Sequence, residues 1–230
     1  MKFLSPAKLN LNLKVISKRN DGFHDLDTTY QLINLYDEIS FEEDNKSLSI
    51  NCNSIDIKKE DNLIFKAYEA IKRFSEVDKG LHINLKKIIP IGAGLGGGSS
   101  NAATTLIALN KIWGLDLSKE ELISIGKDLG ADVPFFIHGK NALAKGVGDI
   151  FFDIEFINKN YLLICPNISV STKEMFTRLN MDELKANQQN SFLDILLKEH
   201  KSIEDFYLKF INEYKLKLSG TGSTLFLEYD

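Results

Sequence analysis

The sequence predicts an α+β protein in which an antiparallel β-layer leads into helices. Three observations carry that prediction. Leu9, Leu11, Leu13 and Val15 alternate with Lys8, Asn10, Asn12 and Lys14, which is the period of a half-buried strand. Five of the fifteen glycines fall in Pro-Ile-Gly-Ala-Gly-Leu-Gly-Gly-Gly-Ser-Ser, Pro90 to Ser100, which runs straight into an apolar, alanine-rich segment. Two helices then follow without an intervening strand, because Ser118 and Glu121 spell a capping box opening a helix to Leu129.

Taken in order, the Lys8–Val15 strand meets a turn at Lys18-Arg-Asn-Asp-Gly22. A second strand is expected over Leu26–Leu35, with short strands at Glu38–Glu42 and Leu48–Cys52. Asp61 or Asn62 caps a helix to about Phe74, and Leu81, Ile83 and Leu85 mark the strand that delivers the glycine loop. Gly130 ends the second helix and Asp132-Val-Pro134 follows, where Asp132 reads first as the cap of another helical turn. Strands at Lys140–Ala144 and Ile150–Phe156 flank a Gly146-Val-Gly148 turn, and a boundary near Asp149 divides the chain into 1–149 and 150–230. Beyond it are expected a buried strand at Tyr161–Cys165, a capped helix from Ser171, and helices at Ser191–His200 and Ser202–Glu213. Strands Lys215–Leu218 and Ser223–Tyr229 close the chain, joined by Ser219-Gly220-Thr221-Gly222-Ser223.

Composition narrows the function. With 230 residues, 43% of them hydrophobic, the chain can bury the core of one large domain or two small ones. A net charge of −4 without a long basic run argues against nucleic acid as the main partner. Cys52 and Cys165, distant and outside any C-x-x-C, read as buried thiols of a reducing compartment. No apolar run approaches membrane-spanning length, and Met1–Ser5 lacks a signal-peptide core, so a cytoplasmic protein with no membrane partner is expected. The four histidines show no metal-ligand spacing.

The glycine loop has the form of a phosphate cradle. Residues without Cβ let successive N–H groups turn toward one anion, and a helix starting near Gly98 adds its unpaired N–H groups and positive dipole end. No Gly-Lys-Ser/Thr closes it, so it is not a P-loop. Gly92, Gly94 and Gly97 spell G-x-G-x-x-G, but the strand-helix-helix order leaves a dinucleotide oxidoreductase as a weak alternative. The Ser219–Ser223 turn reads equally as a plain hairpin or as a second set of phosphate donors.

Four stretches together resemble the GHMP small-molecule kinases, the group of galactokinase, homoserine kinase, mevalonate kinase and phosphomevalonate kinase. They are Pro6–Leu13 with Lys18-Arg-Asn-Asp-Gly-Phe-His24; Pro90–Ser100 with Asn101-Ala-Ala103; Leu129-Gly-Ala-Asp-Val-Pro134 with Gly146-Val-Gly148; and Ser219–Thr224. The Lys18–His24 turn resembles the member acting on a cytidine-carrying substrate. The resemblance implies a two-lobed GHMP-kinase fold, with an N-terminal lobe like ribosomal protein S5 domain 2 and a ferredoxin-like C-terminal lobe. It implies transfer of the ATP γ-phosphoryl to a hydroxyl, with Asp132 accepting the proton and Lys8 as the cation beside it. Pro90, Ile91, Gly92, Ala93, Gly94, Leu95, Gly96, Gly97, Gly98, Ser99 and Ser100 would hold ATP, with Asn62 and Lys87 near the adenine. Gly220, Thr221 and Gly222 would lie near phosphates. Asn10, Phe23, His24, Thr172 and Phe176 fall on the substrate side, two rings sandwiching cytosine while His24 reads its polar edge.

Mg²⁺ is expected to arrive on the nucleotide, with no protein metal site. The resemblance implies as partner a small molecule bearing a cytidine diphosphate group, and a monomer or homodimer is expected. Phe23 stands where the family usually has Tyr, Lys145 where an acid is common and Thr221 where Ser is usual. The family commonly continues with a helix and strand after the last glycine motif, whereas this sequence ends at Asp230. A homoserine- or mevalonate-type kinase and a non-catalytic nucleotide-binding module are the rival readings.

Overall fold

Two long strands carry the first part of the chain, β1 (Lys2–Lys18) and β2 (His24–Asp44), paired with each other. The computed structural model describes residues 1–44, 47–53, 61–77, 80–155, 159–185 and 187–229. The expected strands Leu26–Leu35 and Glu38–Glu42 are one continuous strand. Its polar residue at the anticipated break, Asp37, is fully buried with its carboxylate hydrogen-bonded, so it does not interrupt the strand.

The chain divides into two compact units. The first comprises Met1–Ala7, Ile33–Ile89 and Gly96–Gly139, and the second Lys8–Leu32, Pro90–Leu95 and Lys140–Asp230. Neither is the continuous stretch 1–149 or 150–230, because β1 and β2 each run through both.

In the first unit, β2 pairs antiparallel with β4 (Gly80–Lys86), Glu38 opposite Lys86, and β3 (Leu48–Cys52) pairs parallel with β4. Ile39, Phe41, Leu81, Ile83 and Leu85 are all buried, as their alternation requires. Helix α1 (Leu63–Lys72) and helix α4 (Val133–His138) pack on α2 (Gly97–Trp113), and α3 (Lys119–Leu129) packs on α4. Ile71, Leu106, Leu109, Val133 and Phe135 are fully buried, each contributing about 1.5–3 kcal/mol of transfer free energy. Asn62 caps α1 by accepting from the Ile64 N–H at 2.9 Å, and both bonds of the Ser118–Glu121 capping box form at the start of α3.

In the second unit, Thr28–Tyr30 of β2 pair antiparallel with β5 (Ala142–Lys145), which pairs with β6 (Ile150–Asp153). β6 ends at Asp153, short of the expected Phe156, which lies outside the described residues. A second sheet has the order β7 (Asn160–Ile164), β9 (Leu225–Tyr229), β8 (Lys217–Leu218), antiparallel throughout. With α5 (Thr172–Arg178), α6 (Leu193–Glu199) and α7 (Lys201–Phe210), it builds a core around Met175, Phe192, Leu196, Ile203, Leu218 and Leu225.

Two expectations are corrected here. β7 is half-buried rather than buried, since Leu162 is 52% exposed. The cysteines are not buried thiols: Cys165, just past the end of β7, is exposed and Cys52 only partly buried, though both are free. No helix among the described residues is long and apolar enough to cross a membrane.

Candidate active site

In the second unit the two glycine segments meet. Gly92 and Gly94 have φ of +65° and +75°, and a Cβ on Gly94 would overlap the Ser219 carbonyl oxygen and lie 2.8 Å from that of Gly222. Conversely, a Cβ on Gly220 would stand 3.0 Å from the Gly94 carbonyl oxygen. Only glycine allows backbone to approach backbone this closely. The contact is held by Ser219 Oγ donating to the Gly94 carbonyl at 3.0 Å and the Thr224 N–H donating to Ala93 at 3.1 Å. Asn190 Nδ2 donates to the carbonyls of Leu218 (3.0 Å) and Gly220 (2.9 Å) from the other side. The turn is therefore built onto the loop, which a plain hairpin does not require.

Lys8 is beside this contact, 3% exposed although it occupies a polar position of β1. Its Nζ donates to Asn10 Oδ1 and, at 3.2 Å, to the Gly94 carbonyl, and lies 5.6 Å from the Tyr30 ring centroid. Asn10 is oriented in turn: its Nδ2 donates to Thr28 Oγ1 at 2.7 Å and its N–H to Ser219 Oγ at 3.3 Å. The structure thus gathers Lys8, Asn10, Gly94 and Gly220 at one place. Asn190 and Ser219 belong to it as orienting groups. Ser219 stood in a quoted motif, whereas Asn190 has no spacing signal because its role depends on a contact across 30 residues.

The residues assigned to cytidine divide. His24 is 9% exposed and its ring centroid is 5.3 Å from that of Phe176, which packs on Phe192 at 4.7 Å. Thr172 Oγ1 and Thr221 Oγ1 are 3.2 Å apart. Phe23, on the turn, is 60% exposed. Burial, seconded by the Lys18 ammonium, holds the His24 imidazole below its ordinary pKa and so neutral near pH 7.

In the first unit, Asp132 occupies the N-cap position of α4 with Pro134 next but one, yet its side chain makes no capping bond there. The carboxylate is half-buried. A Cβ on nearby Gly130 would come 3.7 Å from Ser99 Oγ, so Ser99 borders this segment. Ser100 is fully buried and accepts from Ser5 Oγ at 2.8 Å. Gly96, at φ +72°, is the N-cap of α2, whose first N–H groups carry the partial positive charge of a helix start. Asn62 and Lys87 each have a structural partner, Asn62 as the α1 cap and Lys87 with Asp37 at 2.9 Å. Among the described residues no group of three or more His, Cys, Asp or Glu is placed to hold a metal ion. A groove of about 430 Å³ between β7, β9 and α7 is lined by Leu, Ile, Phe and Tyr only and offers no acid or cation.

The family model of the GHMP kinase N-terminal domain matches residues 62–140, the span from the α1 cap through the glycine loop and Asp132. The 4-diphosphocytidyl-2-C-methyl-D-erythritol kinase of Marinomonas sp. (strain MWYL1) is 41% identical over 242 residues, covering 100% of this chain and 79% of its own. A crystal structure of 4-(cytidine 5'-diphospho)-2C-methyl-D-erythritol kinase superposes with a TM-score of 0.84 at 27% identity, covering 99% of this chain and 89% of that one. A homoserine kinase from Cytophaga hutchinsonii, with a TM-score of 0.70 at 15% identity over 100% of this chain and 84% of that one, shares the fold alone. Since the likeness extends from fold to sequence in the cytidine-named enzymes, and there runs the whole length of the chain, this chain belongs to the 4-diphosphocytidyl-2-C-methyl-D-erythritol kinase family of GHMP kinases.

Proposed function

We propose that the chain transfers the γ-phosphoryl group of ATP to the 2-hydroxyl of 4-diphosphocytidyl-2-C-methyl-D-erythritol, giving the 2-phosphate and ADP. This is a cytoplasmic step of isoprenoid-precursor synthesis by the methylerythritol phosphate route. The observation that carries the reading is 41% identity over the full chain to a relative of that name.

Phosphoryl transfer asks the protein chiefly for positioning and charge stabilisation. Asp132 accepts the proton of the attacking hydroxyl, a role supported by its place at the start of α4, two residues after Gly130, which Ser99 of the glycine segment borders. Lys8 supplies a cation fixed by Asn10 and the Gly94 carbonyl, which meets the charge spread over the transferring group without reorganising. The N–H groups of the glycine loop and of the start of α2 hold the nucleotide phosphates. Neutral His24 offers one donor and one acceptor to the polar edge of cytosine, and a ring at Phe176 or Phe23 offers a stacking face. Mg²⁺, when bound, neutralises phosphate charge. It comes with the nucleotide, and no step depends on a protein ligand to it.

The test is to mix the purified protein with ATP, Mg²⁺ and each of the cytidine substrate, homoserine and mevalonate, and to follow ADP. ADP with the cytidine substrate alone is the expected result. ADP with homoserine or mevalonate instead would assign a different GHMP kinase, and ATP binding without turnover on any of the three would make the chain a nucleotide-binding module.

A further inference from the structure

Asp37 is fully buried in β2, and its two oxygens accept four hydrogen bonds. Oδ1 takes the backbone N–H groups of Ile88 (2.6 Å) and Ile89 (2.8 Å), and Oδ2 takes Lys87 Nζ and Asn101 Nδ2, both at 2.9 Å. The donors fall on the two sides of the glycine loop. Lys87 to Ile89 are the last residues before Pro90, and Asn101 is in the second turn of α2. Lys87 also donates to the Ile89 carbonyl, and its ammonium lies 2.9 Å from where a Cβ on Gly97 would be, against the first residue of α2. Asn101 Nδ2 further reaches Ser5 Oγ at 3.0 Å, and Ser5 in turn bonds Ser100.

A strand buried among apolar residues does not need a carboxylate, and a buried ion pair is on balance weak support for stability against an apolar pair of equal volume. What this carboxylate does that an apolar side chain could not is join the segment entering the loop to the helix leaving it. We propose that Asp37 is a positioning residue for the glycine loop: it sets the separation of the loop's two ends, and with it the directions of the N–H groups that receive the ATP phosphates. Lys87 supplies the counter-charge beside it in the core, at 2.9 Å. The proposal rests on the reading that the loop holds ATP. Nothing in the spacing of the sequence singles Asp37 out, because its partners are 50 and 64 residues away.

Asp37→Asn tests it with little change of shape. The amide oxygen keeps Ile88 and Ile89, while the amide nitrogen faces the donors of Lys87 and Asn101, so the ion pair with Lys87 and the tie to the helix are both lost. The expected result is a KM for ATP raised about 10- to 100-fold, the order expected for loss of a charged hydrogen bond, with the KM for the cytidine substrate within about twofold. Adding Asn101→Asp returns a carboxylate from the helix side, to which the amide at 37 can donate, and should recover most of the ATP affinity. Should Asp37→Asn fail to fold, Asn101→Ala removes one neutral donor, leaves the ion pair, and should still raise the KM for ATP severalfold. A folded variant with unchanged KM for ATP and only a lower Tm would overturn the proposal, as would equal rises in both KM values. Calorimetry on the parent keeps the two ideas apart. If the parent bound no ATP, the nucleotide reading would fail, and amide hydrogen exchange would decide on Asp37: faster exchange at Gly96–Ser100 in Asp37→Asn supports it, unchanged exchange sinks it.

Discussion

The Gly94 carbonyl oxygen accepts from two side chains, Lys8 Nζ at 3.2 Å and Ser219 Oγ at 3.0 Å. One backbone atom of the loop thus fixes both the buried cation and the second glycine turn. Lys8→Met keeps an unbranched side chain of similar size and removes the charge. Turnover should fall about 10²- to 10³-fold, as for loss of one transition-state donor, with Tm little changed. Steady-state rates beside a thermal melt check this, and a variant within a factor of a few of the parent would return Lys8 to a packing role.

Asp132→Asn should fold and bind ATP as the parent does, because the amide keeps the size and shape of the carboxylate. Turnover should drop about 10²- to 10⁴-fold, since the amide cannot accept a proton. Calorimetric ATP titration together with ADP release measures both halves, and a near-parental rate would remove Asp132 from the proton-transfer role.

Gly94→Ala and Gly114→Ala separate strain from function. Both glycines have positive φ, +75° and +60°, and each alanine should cost about 1–2 kcal/mol in backbone conformation. A Cβ at Gly114 meets nothing within 4 Å, whereas at Gly94 it overlaps the Ser219 carbonyl. Gly114→Ala should therefore lower Tm and leave ATP affinity intact, while Gly94→Ala lowers both. The same substitution pattern in ATP affinity for the two variants would contradict a role for the loop-to-turn contact.

His24→Ala and Phe176→Ala should each raise the KM for the cytidine substrate about 5- to 150-fold with little effect on the KM for ATP. Phe23→Tyr should be nearly silent, because the ring is exposed and the change adds only a hydroxyl. The imidazole of His24 titrates below its ordinary value near 6.5, so the unfolded chain takes up its proton first as pH falls. Its contribution to stability is present in full above that value and is lost as pH falls through the lower, folded-state pKa. The KM for the cytidine substrate should accordingly stay flat from pH 8 to about 6.5 and rise only below it. A rise beginning near neutrality would mean that His24 is charged in the folded protein.

What was legible in the sequence is what depends on neighbours along the chain. The alternation of Leu9 to Val15, the Ser118–Glu121 capping box and the cluster of glycines at 92–98 act over two to seven residues, so period and residue type are enough to place them. Tertiary structure alone decided where polar side chains spend their hydrogen bonds. Lys8 is on the polar side of an alternating strand and would pass for a solvated lysine, but Gly94, 86 residues on, closes over it. Asp37 falls between two strands expected separately and is instead a satisfied buried acid within one, because Lys87, Ile88, Ile89 and Asn101 reach it only in the folded chain. Asn190 holds Gly220 across 30 residues, and Phe176 rather than Phe23 meets His24, because α5 packs its ring against Phe192 in the core while Phe23 stays out on the turn. A buried polar group must find partners wherever the fold brings them, and sequence separation carries no record of that distance.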